Sequence, residues 1–278
     1  CDIEPNSHNI DVAQLESLIT PKTKVIIPVH FAGIPCEMDA ILEIASSRNI
    51  KVIEDAAHAL PSRYKNRLVG TMGDITCFSF YATKTLATGE GGMAVTSNED
   101  YALSMKRNRL HGINKDAWNR YSEKGKWFYE VVDNGYKYNM TDIAASLGLV
   151  QLKKLELMCE KRSIIAQKYD TAFEKLSLTS LQVPEGSESS WHLYVIKVPN
   201  RDEMIQKLND IGIGVSVHFI PLFLHPYYRD KYRLDATQFP VAATVFDESI
   251  SLPIYPSMSD SEVSFVCDSI QSIIMATS

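Results

Sequence analysis

Residues 77–84 read CFSFYATK, and residues 89–93 read GEGGM. The first stretch is an apolar run typical of a β-strand that ends at a turn carrying Lys84, and the second is a glycine-rich turn that leads into another short strand. A lysine held at such a turn can bind an aldehyde covalently as a Schiff base. The glycines let the backbone approach a ligand closely. The stretch therefore predicts an α/β sheet with a reactive amine at its edge.

A second stretch supplies a carboxylate. Residues 51–58 read KVIEDAAH, an apolar strand that ends in Glu54 and Asp55. In open α/β sheets, ligands bind beyond the carboxyl ends of the strands. A cofactor with an aldehyde and a basic ring nitrogen needs an amine to hold the aldehyde and an anion to keep the nitrogen protonated. Lys84 and one of these carboxylates therefore indicate pyridoxal phosphate. Neighbours on a strand point to opposite faces, so only one of the two acids can face the site.

The first half of the chain has the pattern of a parallel α/β unit. Residues 24–55 show a strand, a helix with apolar positions at helical spacing, and a second strand, which is the order of a βαβ unit. Residues 75–80 and 93–96 add two short strands around the lysine turn. The polar and aromatic residues of 114–135 predict a long functional loop.

The second half is predicted to begin with a long helix. Thr141 is a candidate N-cap, and the apolar pattern continues over residues 142–173, long enough to link two domains. Beyond it we predict strands over 193–198 and 213–218 and helices over 202–211 and 259–274. A chain of 278 residues lies at the upper edge of single-domain size, so we expect two domains, residues 1–150 and residues 151–278.

The composition excludes several classes of function. The chain is 45% hydrophobic and carries a formal net charge of −6, which argues against a nucleic-acid partner. No apolar run has the length of a membrane span, so we expect neither a transmembrane helix nor a signal peptide. The five cysteines lack the spacing of a zinc site or a disulfide framework, and the seven histidines are dispersed, so no metal site is expected. These features predict a cytoplasmic protein.

These motifs, in this order, resemble the DegT/DnrJ/EryC1/StrS family of sugar-nucleotide aminotransferases, which are fold type I pyridoxal phosphate enzymes. The resemblance covers nearly the whole chain. It is carried by IIPVHFAG at 26–33, EDAAH at 54–58, the lysine segment at 79–93, GYKYNMTD at 135–142, SWHLY at 190–194 and VHF at 217–219. Within the family, residues 116–139 look closest to enzymes that aminate keto-deoxy sugars on nucleoside diphosphates for surface polysaccharides.

The resemblance implies a three-layer α/β fold of the aspartate aminotransferase-like, pyridoxal phosphate-dependent transferase type. Residues 1–150 would form the cofactor-binding large domain, and residues 151–278 a linking helix and a smaller α/β C-terminal domain. Residues 1–6 match a segment that family members reach well after their start. We therefore expect the large domain to be incomplete at its N-terminus, without the glycine-threonine pair and the aromatic residue that bind the cofactor in relatives.

The resemblance also assigns the cofactor contacts. It implies that Lys84 holds the cofactor covalently, that Ser79 binds its phosphate, and that Asp55 pairs with its ring nitrogen. His58 stands where relatives commonly have glutamine or histidine near the phenolic oxygen of the ring. Asn139 matches an asparagine that touches the cofactor phosphate in the other subunit, which implies a homodimer with shared active sites.

Five further residues are candidates for the substrate side of the site. They are Tyr81, Lys137, His192, His218 and Phe219. Lys137 is expected to contact the diphosphate. A half-buried histidine on a strand is more often structural than catalytic, so the two histidines depend on the resemblance alone.

The function implied is the transfer of an amino group, with glutamate as the expected donor, to a keto-deoxy sugar of a nucleoside-diphosphate sugar. Such a step belongs to surface polysaccharide or amino-sugar biosynthesis. Two alternatives remain. One is a pyridoxal phosphate-dependent sugar dehydratase of the same family, against which Lys84 argues because the lysine is typically histidine there. The other is a truncated, non-catalytic member that cannot hold the cofactor.

Overall fold

The computed structural model describes residues 1–114, 129–176, 178 and 180–277. Its strands are β1 Val25–Ile26, β2 Lys51–Asp55, β3 Arg63–Tyr64, β4 Arg67–Leu68, β5 Ile75–Ser79, β6 Gly92–Val95, β7 Tyr194–Lys197 and β8 Ser249–Leu252. Its helices are α1 Val12–Leu18, α2 Met38–Ser47, α3 Glu99–Asn108, α4 Asp142–Leu152, α5 Leu155–Glu174, α6 Arg201–Asp210, α7 Pro226–Tyr232, α8 Pro240–Glu248 and α9 Asp260–Thr277.

The central sheet has the order β1-β2-β5-β6 among the described residues. β1 and β2 pair in parallel, as do β2 and β5, whereas β6 runs antiparallel to β5. The predicted βαβ unit and the two strands around the lysine turn are thus confirmed. Because β2 and β5 run in the same direction, Asp55 and Ser79 stand at the same edge of the sheet.

Two apolar clusters form the main cores. The first joins α1, β1, α2 and β2, with Met38 and Ile41 fully buried. The second joins α5, β7, α6, β8 and α9 around Tyr169 and Leu208. The strands of each cluster present their apolar side chains to helices that carry a matching apolar stripe.

The long helix predicted over 142–173 is in fact two helices. Thr141 is the N-cap, as expected, since its hydroxyl oxygen accepts a hydrogen bond from the Ala144 amide at 3.2 Å. The helix is interrupted at Lys153 and Lys154, between α4 and α5. Burial differs on the two sides of the interruption: α5 buries one face in the second core, whereas α4 buries none of its residues.

The strand predicted over 213–218 was wrong. The partner of β7 is β8, which comes later in the chain and pairs with it antiparallel. The 213–218 segment pairs only at Ser216, which exchanges two backbone hydrogen bonds with Ser251. Gly212, with φ +83°, and Gly214 precede this point, and glycines weaken a strand because their backbone is flexible and they have no side chain to pack. The helices predicted over 202–211 and 259–274 are confirmed as α6 and α9.

The long loop predicted over 114–135 lies mostly outside the described residues, as does much of the 116–139 stretch. Its two ends are paired, because the Asn114 amide donates to the Glu130 carbonyl at 3.0 Å. Among the described residues, no helix combines the length and apolarity needed to cross a membrane.

Candidate active site

The end of β2 carries two carboxylates in different environments. Glu54 is fully buried and accepts hydrogen bonds from His30 Nε2 at 3.0 Å, the Gly73 amide at 2.7 Å and the Thr76 hydroxyl at 2.8 Å. Its neighbour Asp55 is only half-buried and accepts one bond, from the Ala57 amide at 3.0 Å. Asp55 is therefore the carboxylate that can face a ligand.

Lys84 stands in the turn after β5. Its backbone amide donates to the Tyr81 carbonyl at 2.9 Å, and the hydroxyl of the next residue, Thr85, donates to the Leu60 carbonyl at 2.6 Å. The side chain is half-buried. Burial lowers the pKa of the Lys84 amine, while the nearby charge of Asp55 opposes that shift. A lowered pKa increases the neutral, nucleophilic fraction of the amine.

His58 is buried beside this lysine. Its Nδ1 atom accepts a hydrogen bond from the Ala32 amide at 3.2 Å. Burial, followed by the charges of Lys84 and His218, lowers the pKa of His58 to about 3. The ring is therefore neutral at physiological pH.

The later part of the chain brings His192, His218 and Phe219 to the same place. The ring of His192 lies 4.3 Å from that of His58, and the ring of Phe219 lies 6.1 Å from it, centroid to centroid. Burial lowers the pKa of His192 to about 2, and the charge of Lys84 contributes to lowering the pKa values of both His192 and His218. His218 Nδ1 lies 2.8 Å from the Ser251 hydroxyl. The structure thus brings together three predicted substrate residues and the lysine.

A cavity of about 660 Å³ opens beside His218 and Phe219. Phe31 and Ile220 are among the apolar residues of its wall. The cavity is large enough for a sugar-sized ligand and offers it a largely apolar surface.

Ser79 and Tyr81 lie at the carboxyl end of β5. The Ser79 hydroxyl oxygen accepts a bond from the Tyr81 amide at 3.4 Å, and the Ser79 side chain is half-buried. Tyr81 is 46% exposed. Gly89, with φ +84°, has nothing within 4 Å of the position that a Cβ atom would occupy, so the glycine turn leaves open space beside the lysine turn.

Lys137 and Asn139 are not brought to this cluster by their own chain. The Lys137 amine donates to the side-chain oxygen of Asn139. Lys137 is exposed, and Tyr136 and Tyr138 stack on each other with ring centroids 4.9 Å apart. Tyr136, Lys137 and Tyr138 are exposed, and Asn139 is half-buried.

Sequence reasoning missed two supporting residues. Ser190 donates from its hydroxyl to the His58 carbonyl at 2.6 Å, and its amide donates to the Ser62 hydroxyl oxygen. Arg162, buried on α5, donates from one guanidinium nitrogen to the carbonyls of Trp191, His192 and Ile254. The sequence did contain a signal for Arg162, because an arginine within the apolar stripe of a helix indicates a buried charge with a structural role. In the part of the chain that is described, no group of three or more potential metal ligands converges.

The sequence model of the DegT/DnrJ/EryC1/StrS aminotransferase family matches residues 1–271. An uncharacterized protein of Methanocaldococcus jannaschii, MJ1066, is 50% identical over 280 residues, which cover 98% of this chain and 72% of that protein. The spore coat polysaccharide biosynthesis protein SpsC of Bacillus subtilis is 48% identical over 281 residues, which cover 98% of this chain and 72% of SpsC.

Among solved structures, the chain resembles the sugar aminotransferase Spr1654 of Streptococcus pneumoniae in its PMP form. The TM-score is 0.92 and the identity 35%, covering 99% of this chain and 75% of the pneumococcal chain. That protein is also known in a PLP form. The predicted family, the fold type I α/β architecture and pyridoxal phosphate as the cofactor are thereby confirmed.

The residues of the site fit this cofactor. They offer an amine whose pKa is lowered, a carboxylate at the sheet edge that is open to a ligand, and a neutral imidazole close to the amine. These are the groups that an aldehyde cofactor with a basic ring requires.

Proposed function

The chain belongs to the DegT/DnrJ/EryC1/StrS aminotransferase family, and we propose that it transfers an amino group to a keto-deoxy sugar carried on a nucleoside diphosphate. The observation that supports this proposal is the convergence of Lys84, Asp55 and His58 at one edge of the sheet. The expected donor is glutamate, and the expected pathway is surface polysaccharide or amino-sugar biosynthesis in the cytoplasm.

Lys84 is the proposed catalytic residue. Pyridoxal phosphate, when bound, supplies an aldehyde that carries the amino group and a ring that withdraws electrons from the adjacent carbon. The Lys84 amine would hold that aldehyde between turnovers. When the donor amine replaces it, the neutral Lys84 amine would take a proton from the donor carbon and deliver it within the site. Its half-buried position and lowered pKa support both roles.

Asp55, His58 and Ser79 are the proposed positioning and binding residues. Asp55 would hold the proton on the ring nitrogen, since its carboxylate is free of the strong bonds that occupy Glu54. His58 would contact the phenolic oxygen, and Ser79 the phosphate. Each lies at the carboxyl edge of the sheet or directly after it.

The substrate would lie between the lysine turn and the second domain. His192, His218, Phe219 and Tyr81 would line its path, and the apolar wall of the adjacent cavity suits the methyl group of a deoxy sugar. A net charge of −6 does not attract a diphosphate, so a local cation is needed, and we assign that contact to Lys137.

We also propose that the active form is a homodimer with shared sites. Lys137 is exposed and bonds to Asn139, and no hydrogen bond among the described residues joins either side chain to Lys84, Asp55 or His58. In a dimer, this segment of one subunit would supply Asn139 to the cofactor phosphate and Lys137 to the substrate of the other.

Chemical trapping of the cofactor tests the proposal. Reduction of the chain with borohydride in the presence of pyridoxal phosphate, followed by peptide mapping, should place the label on Lys84. The exposed lysines Lys65 and Lys137 serve as internal controls. A label distributed over those lysines would contradict the assignment. The chain loaded with pyridoxal phosphate should then transfer an amino group from glutamate to a nucleoside-diphosphate keto sugar, and the Lys84→Ala variant should not.

A further inference from the structure

The segment from His30 to Cys36 contacts two histidine rings through its backbone. The Ala32 amide donates to Nδ1 of His58 at 3.2 Å, and the Cys36 amide donates to Nδ1 of His30 at 3.0 Å. Ala32, Cys36 and both histidines are buried. One short segment therefore holds two imidazoles in the same way.

A backbone amide cannot accept a hydrogen bond, so each Nδ1 atom must present a lone pair. A neutral imidazole then carries its proton on Nε2. His30 shows the consequence, because its Nε2 lies 3.0 Å from the Glu54 carboxylate, as a donor should. His58 makes the same backbone contact, but its Nε2 has no hydrogen bond to the residues that the structure describes.

The segment is fixed on several sides. Asn9 accepts from the Phe31 amide at 2.9 Å and donates to the Ile34 carbonyl at 3.0 Å. The Ser62 hydroxyl donates to the Gly33 carbonyl at 2.6 Å. Each bond restricts the backbone on one side of Ala32, so the direction of the Ala32 amide is set by the fold rather than by a ligand.

The second domain adds a further restraint. The Leu193 amide donates to the Ala32 carbonyl at 3.2 Å, which places the neighbouring ring of His192 against His58. The His58 ring thus packs against the His192 ring, and its Nδ1 atom accepts a hydrogen bond from the Ala32 amide. Its remaining nitrogen is the one that can meet a bound molecule.

We propose that the His30–Cys36 segment sets the tautomer of His58, so that His58 acts in the site only as an Nε2–H donor and never as a proton acceptor. The bound group opposite it must then present an acceptor atom. This inference deepens the proposed function, on which the identity of that acceptor, the phenolic oxygen of the cofactor, depends. The tautomer itself depends only on contacts within the chain.

Nuclear magnetic resonance on the cofactor-free chain tests the tautomer directly. Two-bond correlations between ring protons and ring nitrogens distinguish a protonated from an unprotonated nitrogen. At pH 7, His58 should show an unprotonated Nδ1 and a protonated Nε2, with its signals assigned by their loss in His58→Gln. A protonated Nδ1, or a ring protonated on both nitrogens, would overturn the proposal.

Two substitutions separate the donor role from the structural one. The amide nitrogen of Gln in His58→Gln lies near the former Nε2 position and can still donate into the site. The side-chain oxygen of Asn in His58→Asn lies near the former Nδ1 position and can still accept from Ala32, but it offers no donor to the site. If His58 acts as a donor, His58→Gln should bind pyridoxal phosphate at least about tenfold more tightly than His58→Asn.

Equal binding by the two variants, or tighter binding by His58→Asn, would overturn the donor role. Thermal unfolding of both variants verifies that each one folds. If the parent chain took up no pyridoxal phosphate at all, the proposed function would fail, while the resonance measurement would still decide the tautomer.

Discussion

Glu54 and Asp55 are adjacent on β2, yet the environments of their side chains differ, because one is buried and the other is half-buried. Glu54 points into the protein, where three donors hold its carboxylate, and the pKa of Glu54 is lowered because those hydrogen bonds outweigh the burial that acts against them. Asp55 points to the edge where Lys84 stands. The strand alternation rule predicted from sequence that only one of the two acids can face the site, because alternation depends only on the backbone, and the family resemblance indicated Asp55.

The two acids should therefore give opposite results on substitution. Asp55→Asn should leave the stability nearly unchanged and lower the transamination rate by on the order of a hundredfold or more, since a neutral amide no longer favours a protonated ring nitrogen. Glu54→Gln should lower the free energy of unfolding by about 1.5–3 kcal/mol, because it weakens hydrogen bonds to a buried charge. Urea unfolding and steady-state rates, measured on both variants, give the comparison.

Each variant is the control for the other. Transamination by Asp55→Asn within threefold of the parent rate would remove Asp55 from the site. A Glu54→Gln protein of parental stability would show that the three bonds to Glu54 carry little net free energy.

At the level of elements, the sequence predicted what local periodicity determines. The βαβ unit, the strands beside the lysine turn, Thr141 as an N-cap and the helices α6 and α9 all follow from apolar spacing and capping chemistry. The pairing of β7 with β8 could not be predicted in this way, because it joins residues far apart in sequence. The interruption at Lys153 was also missed, since the pattern continues across it.

The division into domains at residues 150 and 151 stays a prediction. The interruption between α4 and α5 falls close to it, and the second apolar cluster draws its residues from α5 onward. Limited proteolysis is the natural measurement, and cleavage confined to the vicinity of Lys153 and Lys154 would agree with the division.

Gly33 is the position where the His30–Cys36 segment requires a glycine. Its φ is +96°, and a Cβ atom there would lie 2.2 Å from Ser190 Oγ and 3.1 Å from the His58 carbonyl. Gly33→Ala should thus combine backbone strain of about 1–2 kcal/mol with a steric cost of about 1–3 kcal/mol. Gly186→Ala is the matched control, because Gly186 has φ +71° and nothing within 4 Å of its Cβ position.

The free energy of unfolding, measured in urea, should fall by at least about 1 kcal/mol more for Gly33→Ala than for Gly186→Ala. Equal decreases in the free energy of unfolding of the two variants would mean that Ser190 moves away from the added methyl group at no measurable cost in stability. The tautomer signals of His58 should change in Gly33→Ala and stay unchanged in Gly186→Ala.

At the level of the whole molecule, the site depends on contacts that no local pattern reveals. Lys84, Asp55 and Ser79 were found because each belongs to a recognisable strand end. The contact of His58 with His192 and the bond from the Leu193 amide to the Ala32 carbonyl each join residues more than a hundred positions apart. The bond from the Ala32 amide to His58 spans 26 positions and depends on backbone direction. Such contacts arise from tertiary packing and are accessible only in the folded structure.

The apolar surface of α4 supports the proposed dimer. Ile143 is 78% exposed and Leu149 is 64% exposed, and Leu147, Val150 and Leu152 of the same helix are also exposed. A helix that is apolar all round is normally covered by protein. If a second copy covers it, the double substitution Ile143→Glu, Leu149→Glu should shift the chain from dimer to monomer in analytical ultracentrifugation. Leu18→Glu, at an exposed leucine of α1, is the control and should not change the mass.

Buried histidines should make the stability of the molecule depend strongly on pH. Burial lowers the pKa of His8 to about 4, of His58 to about 3 and of His192 to about 2, whereas the unfolded value is 6.5. Below that value the unfolded chain binds protons that the folded chain does not, so stability is lost as the pH falls. Each histidine should account for about 2 kcal/mol between pH 7 and pH 5, and the three together for about 6 kcal/mol, which is comparable to the whole stability of many domains.

Carboxylates contribute little between pH 7 and pH 5, because a lowered carboxyl pKa such as that of Glu54 affects stability mainly near and below its ordinary value of 4.5. Urea unfolding at pH 7, 6 and 5 measures the dependence. His8→Gln isolates one contribution at a position away from Lys84, where the buried Nε2 atom has no hydrogen-bond partner among the described residues. That variant should lose about 2 kcal/mol less than the parent chain between pH 7 and pH 5. A parent chain whose free energy of unfolding stays level over this range would show that these histidines accept protons without unfolding.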